Sequence, residues 1–67
     1  MAFDVEMMLD WQQRGMNARV LGLSASRNPV APYLETVSCP KEKDSWAQKA
    51  EAWSFGWHIE NATRALL

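Results

Sequence analysis

Apolar and polar positions alternate with a helical period at the two ends of the chain and lose that period between them. From Asp4 to Leu23, at ~100° per residue, Val5, Leu9, Met16, Val20 and Leu23 line one apolar stripe. Beside it runs a second stripe of different character: Met8, Trp11, Gly15, Ala18 and Gly22. Glycine inside a helix costs about 1 kcal/mol relative to alanine. Two of them flanking Ala18 therefore imply a groove where another helix or a large ring sits close; a helix broken at Gly15 is the competing reading. Asp4 has the side chain of an N-cap.

The second periodic stretch predicts a helix from about Ser45 towards Arg64. Ser45 followed by Gln48 makes a capping box, and Asp44 adds a favourable charge at the N-terminal end. Trp46, Ala50, Trp53 and Trp57 fall on one side of this helix; Ala52, Phe55, Ile59, Ala62 and Leu66 fall roughly opposite. One neighbour needs only one stripe, so the second face is expected to meet a folded-back segment or another molecule. In between, "SASRNPVAPYLETVSCPKEK" holds all three prolines and several serines, which argues against a long helix. The expected fold is all-α and self-associating. It is a two-helix hairpin with helices at about 4–23 and 45–64, a long proline-containing linker at about 24–43, and one domain over 1–67.

Sixty-seven residues leave a marginal core, because a chain of this size buries only about 60% of its unfolded surface. An internal disulfide is excluded, since Cys39 is the only cysteine. A lone cysteine fits a reducing cytoplasm, or a disulfide-linked dimer. Cys39 and the single His58 cannot supply a zinc site, so no metal or cofactor is expected. The start "MAFDVEMMLD" lacks a signal peptide's basic region and apolar run, and no stretch has the ~20 apolar residues of a membrane span. A cytoplasmic protein with no membrane association is the expectation, and partner association is the remaining source of stability.

Seven basic and eight acidic residues give a net charge of −1, which excludes a general electrostatic grip on nucleic acid. A local patch stays open. Arg14, Arg19, Arg27, Lys41 and Lys43 are the candidate phosphate contacts, and Tyr33 is a candidate for stacking on an exposed base. The competing reading makes them solvated charges that keep a small protein dispersed. Enzymatic chemistry is not expected. There is no phosphate-cradling glycine loop, Cys39 has no activating pattern around it, and Glu51, His58 and Glu60 form no close acid–base set.

Taken together, "RGMNARVLGLS", the following "NP" and the later "WSFGWHIENA" resemble the ribosome modulation factor family, commonly grouped with the small CrpP-type ciprofloxacin-resistance proteins. The matching positions are Arg14, Gly15, Ala18, Gly22, Asn28, Pro29, Trp53, Gly56, Trp57 and Ala62. They are largely read as packing residues. The resemblance implies two helices joined by a linker, and non-catalytic binding to the small ribosomal subunit near the end of its RNA. The chain departs from the ribosome-binding members in its acidic balance and in a longer stretch between Pro29 and Trp53. A homodimeric or host-protein-binding accessory of a mobile element is the alternative, with Phe55, Ile59 and Leu66 as the docking stripe. A drug-modifying role of the CrpP type is the third reading.

Overall fold

The computed structural model describes residues 4–65. The elements are α1 (Val5–Val20), a 3-10 turn (Ala25–Arg27), α2 (Ala31–Thr36) and α3 (Pro40–Ala65), and there is no strand among the described residues. The principal dimensions are 42 × 24 × 13 Å. Leu66 lies outside the described residues.

Helix α1 starts as its sequence indicates, with the Asp4 carboxylate accepting from the Met7 amide at 3.0 Å. It stops earlier than the apolar stripe suggests. Leu21 is the C-cap and Gly22 takes φ +86°. The Leu23 amide donates to the Ala18 carbonyl and the Gly22 amide to the Arg19 carbonyl, both at 3.0 Å. That is the Schellman pattern, which requires a left-handed residue at this point. Gly22 therefore ends the helix and does not line the groove; a Cβ there would meet nothing within 4 Å.

Gly15 carries the other part of the groove. A Cβ on Gly15 would collide with the Trp53 carbonyl oxygen, and one on Gly56 would collide with the Gln12 carbonyl oxygen. The two glycines thus let α1 and α3 meet backbone to backbone. Ala18, Ala52 and Trp53 are buried around this crossing. Burying an indole removes about 150–250 Å² from water, on the order of 4–6 kcal/mol, so Trp53 dominates a core whose other members are small.

The long helices do not form a hairpin. Asp4 and Met7 at the start of α1 share a cleft with Lys41, Asp44, Ser45 and Gln48 near the start of α3. At the far end, the Arg19 Nε donates to Asn61 Oδ1 at 2.9 Å. The helices therefore run parallel. The segment between them returns along α3 in the opposite sense, with Leu23 meeting Trp57, Asn28 meeting Ala50 and Tyr33 meeting Trp46. A parallel connection must retrace α1, whose 16 residues span about 24 Å, and the stretch from Leu21 to Cys39 has the length to do so.

That stretch is also less irregular than its prolines suggest. Pro32 sits in the first turn of α2 and Pro40 is the first residue of α3, positions where the missing amide hydrogen costs no helical bond. Helix α3 consequently begins at Pro40, ahead of the Ser45 capping box. Ser45 lies inside the helix, and Gln48 donates to the Asp44 carboxylate at 3.3 Å instead of folding back on an N-terminus.

Because α1 and α3 touch through backbone, alanine at either glycine is expected to destabilise strongly. Overpacking costs about 1–3 kcal/mol when side chains can yield, and here the obstacle is a carbonyl. Urea unfolding of Gly15→Ala and Gly56→Ala should place both well below Gly22→Ala, which loses only the left-handed preference, about 1 kcal/mol. Equal losses at all three positions would refute the crossing.

Candidate functional site

The returning segment and the face of α3 beneath it bring together the chemically distinctive side chains. Asn28 fixes the segment twice. Its Nδ2 donates to the Ala50 carbonyl, and its Oδ1 accepts from the Val30 amide, both at 3.0 Å. Val30, wholly buried at 0% exposure, sits at the N-cap of α2 and seats the segment on the long helices. One turn further on, Tyr33 stacks on Trp46 with ring centroids 5.0 Å apart and planes 11° from parallel. The Lys49 ammonium lies 4.1 Å from the Trp46 centroid, within cation–π range. Tyr33 remains 54% exposed, so one ring surface of this stack is open to water.

Trp57 has a different task. Its Nε1–H donates to the Leu23 carbonyl at 2.8 Å, tying the end of α1 and its glycine cap to α3. His58 packs edge-on against the indole at 5.0 Å and is exposed. The Arg19 guanidinium lies 5.8 Å from the Trp57 centroid while its Nε holds Asn61. Of the three indoles on α3, then, Trp53 is the one buried at the helix crossing. The Trp46–Trp57 stripe mostly faces the returning segment, a division that periodicity alone does not reveal.

The candidate phosphate contacts do not gather into one patch. Arg14 pairs with Asp10 at 3.0 Å and lies 4.6 Å from the Trp11 centroid, so it serves its own helix. Arg19 is held at the α1–α3 seam. Lys41 lines the cleft shared by the two helix starts, together with Asp4 and Asp44. Arg27 lines a shallow concavity on the returning segment with Ser26, Pro29, Pro32 and Glu35. Lys43 is exposed and precedes Trp46 by three residues, which puts it on the side of α3 that carries the stack. Tyr33, Trp46 and Lys49 form the cationic–aromatic grouping the fold creates; Trp46 was read from sequence only as part of an apolar stripe and Lys49 was not singled out, and the signal for the pair was its i, i+3 spacing.

The resemblance positions divide in the same way. Gly15, Ala18, Trp53 and Gly56 build the crossing, Gly22 caps α1, and Asn28 and Trp57 anchor the segment. Pro29 and Ala62 are exposed. Phe55 is 59% exposed and Ile59 half-buried. Cys39 is an exposed free thiol at the residue before α3. Among the described residues no three of His, Cys, Asp or Glu are placed to hold a metal ion, and no helix is long and apolar enough to cross a membrane. Comparison with protein families, curated proteins and solved structures finds no match for the chain.

Asn28 is the link between the segment and the helices, so its removal should release Tyr33. Asn28→Ala loses two hydrogen bonds, each contributing about 0.5–1.5 kcal/mol. Amide exchange should accelerate over residues 25–36 more than in α1, with loss of Tyr33–Trp46 stacking visible in near-ultraviolet circular dichroism. Uniform acceleration across the chain would mean that Asn28 is not a local anchor.

Proposed function

We propose that this chain is a non-catalytic ribosome-binding protein of the ribosome modulation factor type, acting on ribosomal RNA in the cytoplasm. The observation that carries the reading is the Tyr33–Trp46–Lys49 grouping: an aromatic ring seated on a second ring, backed by a cation and left open on one side. Unpaired bases bind such surfaces by stacking, which every base can do through its π face. The sequence resemblance at Arg14, Gly15, Ala18, Gly22, Asn28, Pro29, Trp53, Gly56, Trp57 and Ala62 points to the same reading.

The charge balance sets the character of that binding. With a net charge of −1 and the cations dispersed, few phosphates are neutralised at once. Lys43 and Lys41 are the two exposed cations nearest in sequence to the Tyr33–Trp46 stack. Stacking then supplies a larger share of the affinity than in a basic protein, and the salt dependence is correspondingly mild, a slope of roughly one or two phosphates.

Sedimentation with purified bacterial ribosomes tests this directly. The protein should travel with the small subunit at low salt, and Tyr33→Ala should weaken binding by about 1–3 kcal/mol while Tyr33→Phe does not. Arg14→Gln should leave binding nearly unchanged. A protein that stays in the supernatant at low salt, or Tyr33→Ala indistinguishable from wild type, would overturn the proposal.

A further inference from the structure

The back of the Tyr33–Trp46 stack is closed by a cation. Lys49 is half-buried, and its ammonium stands 4.1 Å from the Trp46 centroid. It shares the cleft at the starts of α1 and α3 with the carboxylates of Asp4 and Asp44. The ion pairs among the described residues are nevertheless Arg14–Asp10 and Arg64–Glu60. With two carboxylates in its own cleft, the ammonium stays on the indole. At ~100° per residue, Lys49 is displaced about 60° from Trp46 towards Ala52 and Gly56, which meet α1. Ala50, whose carbonyl accepts from Asn28, and Lys43 are displaced the other way, to the side of the returning segment. Tyr33 belongs to that segment, so it and Lys49 reach the indole from opposite sides and each takes one face. The outer face of Tyr33, in a residue 54% exposed, is the ring surface left for a ligand.

We infer that this platform takes one unpaired base, on the outer face of Tyr33, with Lys49 as a positioning residue behind it. The inference rests on the base-stacking reading above and specifies its ligand: an isolated unpaired nucleotide, such as a bulged one. Proteins that hold runs of bases offer a succession of aromatic faces along a basic groove. Here the second ring of the pair is filled on both sides, and the cations are dispersed. Lys49 is separated from the ligand by two stacked rings, so its charge is spent on the indole and not on a phosphate. A cation over a tryptophan face holds the ring in one orientation, and Tyr33 lies within 11° of parallel on that ring. Lys43, exposed and on the side of the returning segment, is the cation placed for the phosphate next to the stacked base.

Three RNA hairpins sharing one stem test the inference: fully paired, with one bulged uridine, and with three. Binding to the whole chain is followed up to millimolar RNA by the Tyr33 ring resonances. One bulged base should tighten binding about 5- to 150-fold over the paired stem, the contribution of one stacked base. Three should add no more than the roughly threefold statistical gain of three equivalent bases. Lys49→Met keeps the length of the side chain and removes its charge. It should shift the Tyr33 resonances in the free protein and weaken single-bulge binding about two- to fivefold. The slope of log K against log salt should stay unchanged, whereas loss of a phosphate contact lowers it by about one; Lys43→Gln should lower it so. A larger gain from three bulged bases, paired and bulged stems bound alike, no shift with any hairpin, or a reduced slope in Lys49→Met would each overturn the inference. Sedimentation with ribosomes is an independent readout. A chain that stays off ribosomes but prefers the single bulge keeps the one-base site and loses the ribosome as its target. A chain that travels with ribosomes but ignores the bulge overturns the one-base site alone.

Discussion

The backbone contact between α1 and α3 at Gly15 and Gly56 is the constraint on which the rest of the structure depends. Helices usually pack 8–10 Å apart, held off by side chains. Removing the Cβ at both contact points lets these two approach until each glycine faces the other helix's carbonyl. Small residues at such a crossing gain close van der Waals contact over many atoms, and the single large side chain of the core, Trp53, fills the space that opens beside it. A chain of 67 residues has too little volume for a layered interior, and close approach is a means of burying surface without adding mass.

From that contact follows the division of the molecule into two unlike sides. The parallel course of the long helices obliges the chain to return, and the returning segment covers one side of the helix pair. Asn28, Val30 and the Trp57 indole fasten it there. The covered side thereby acquires the Tyr33–Trp46 stack and its cation, while the other keeps its apolar strips open. The same connection that completes the fold also separates a cationic–aromatic surface from an apolar one.

Tryptophan is used in this protein for attachment as much as for filling. Trp53 is packed away, but Trp57 spends its N–H on the Leu23 carbonyl and Trp46 holds a tyrosine on its face. An indole joins a broad apolar surface to one polar hydrogen, which suits a thin molecule in which each ring touches both a helix and a loop. Two arginines behave similarly: Arg14 and Arg19 lie near indole faces and make local polar contacts, and so contribute little free charge to a partner.

Local chemistry was legible in the sequence. The all-α composition, the Asp4 cap, the groove at Gly15 and Ala18, and the existence of two faces on the second helix all follow from spacing and propensity, which act within a few residues. Other features depend on contacts between distant positions. Gly22 has the same residue type as Gly15, but only the end of α1 decides that it caps rather than packs. Pro40 reads as a breaker until α3 is seen to begin there, which moves the helix start ahead of a plausible Ser45 capping box. Whether the helices run parallel or antiparallel is settled by the anchoring of residues 23–33 along α3, since hydrophobic period is the same in both directions. Which stripe is covered is likewise a tertiary matter: a helix wheel shows that a face is apolar, but only the path of the returning segment determines which face it hides from water.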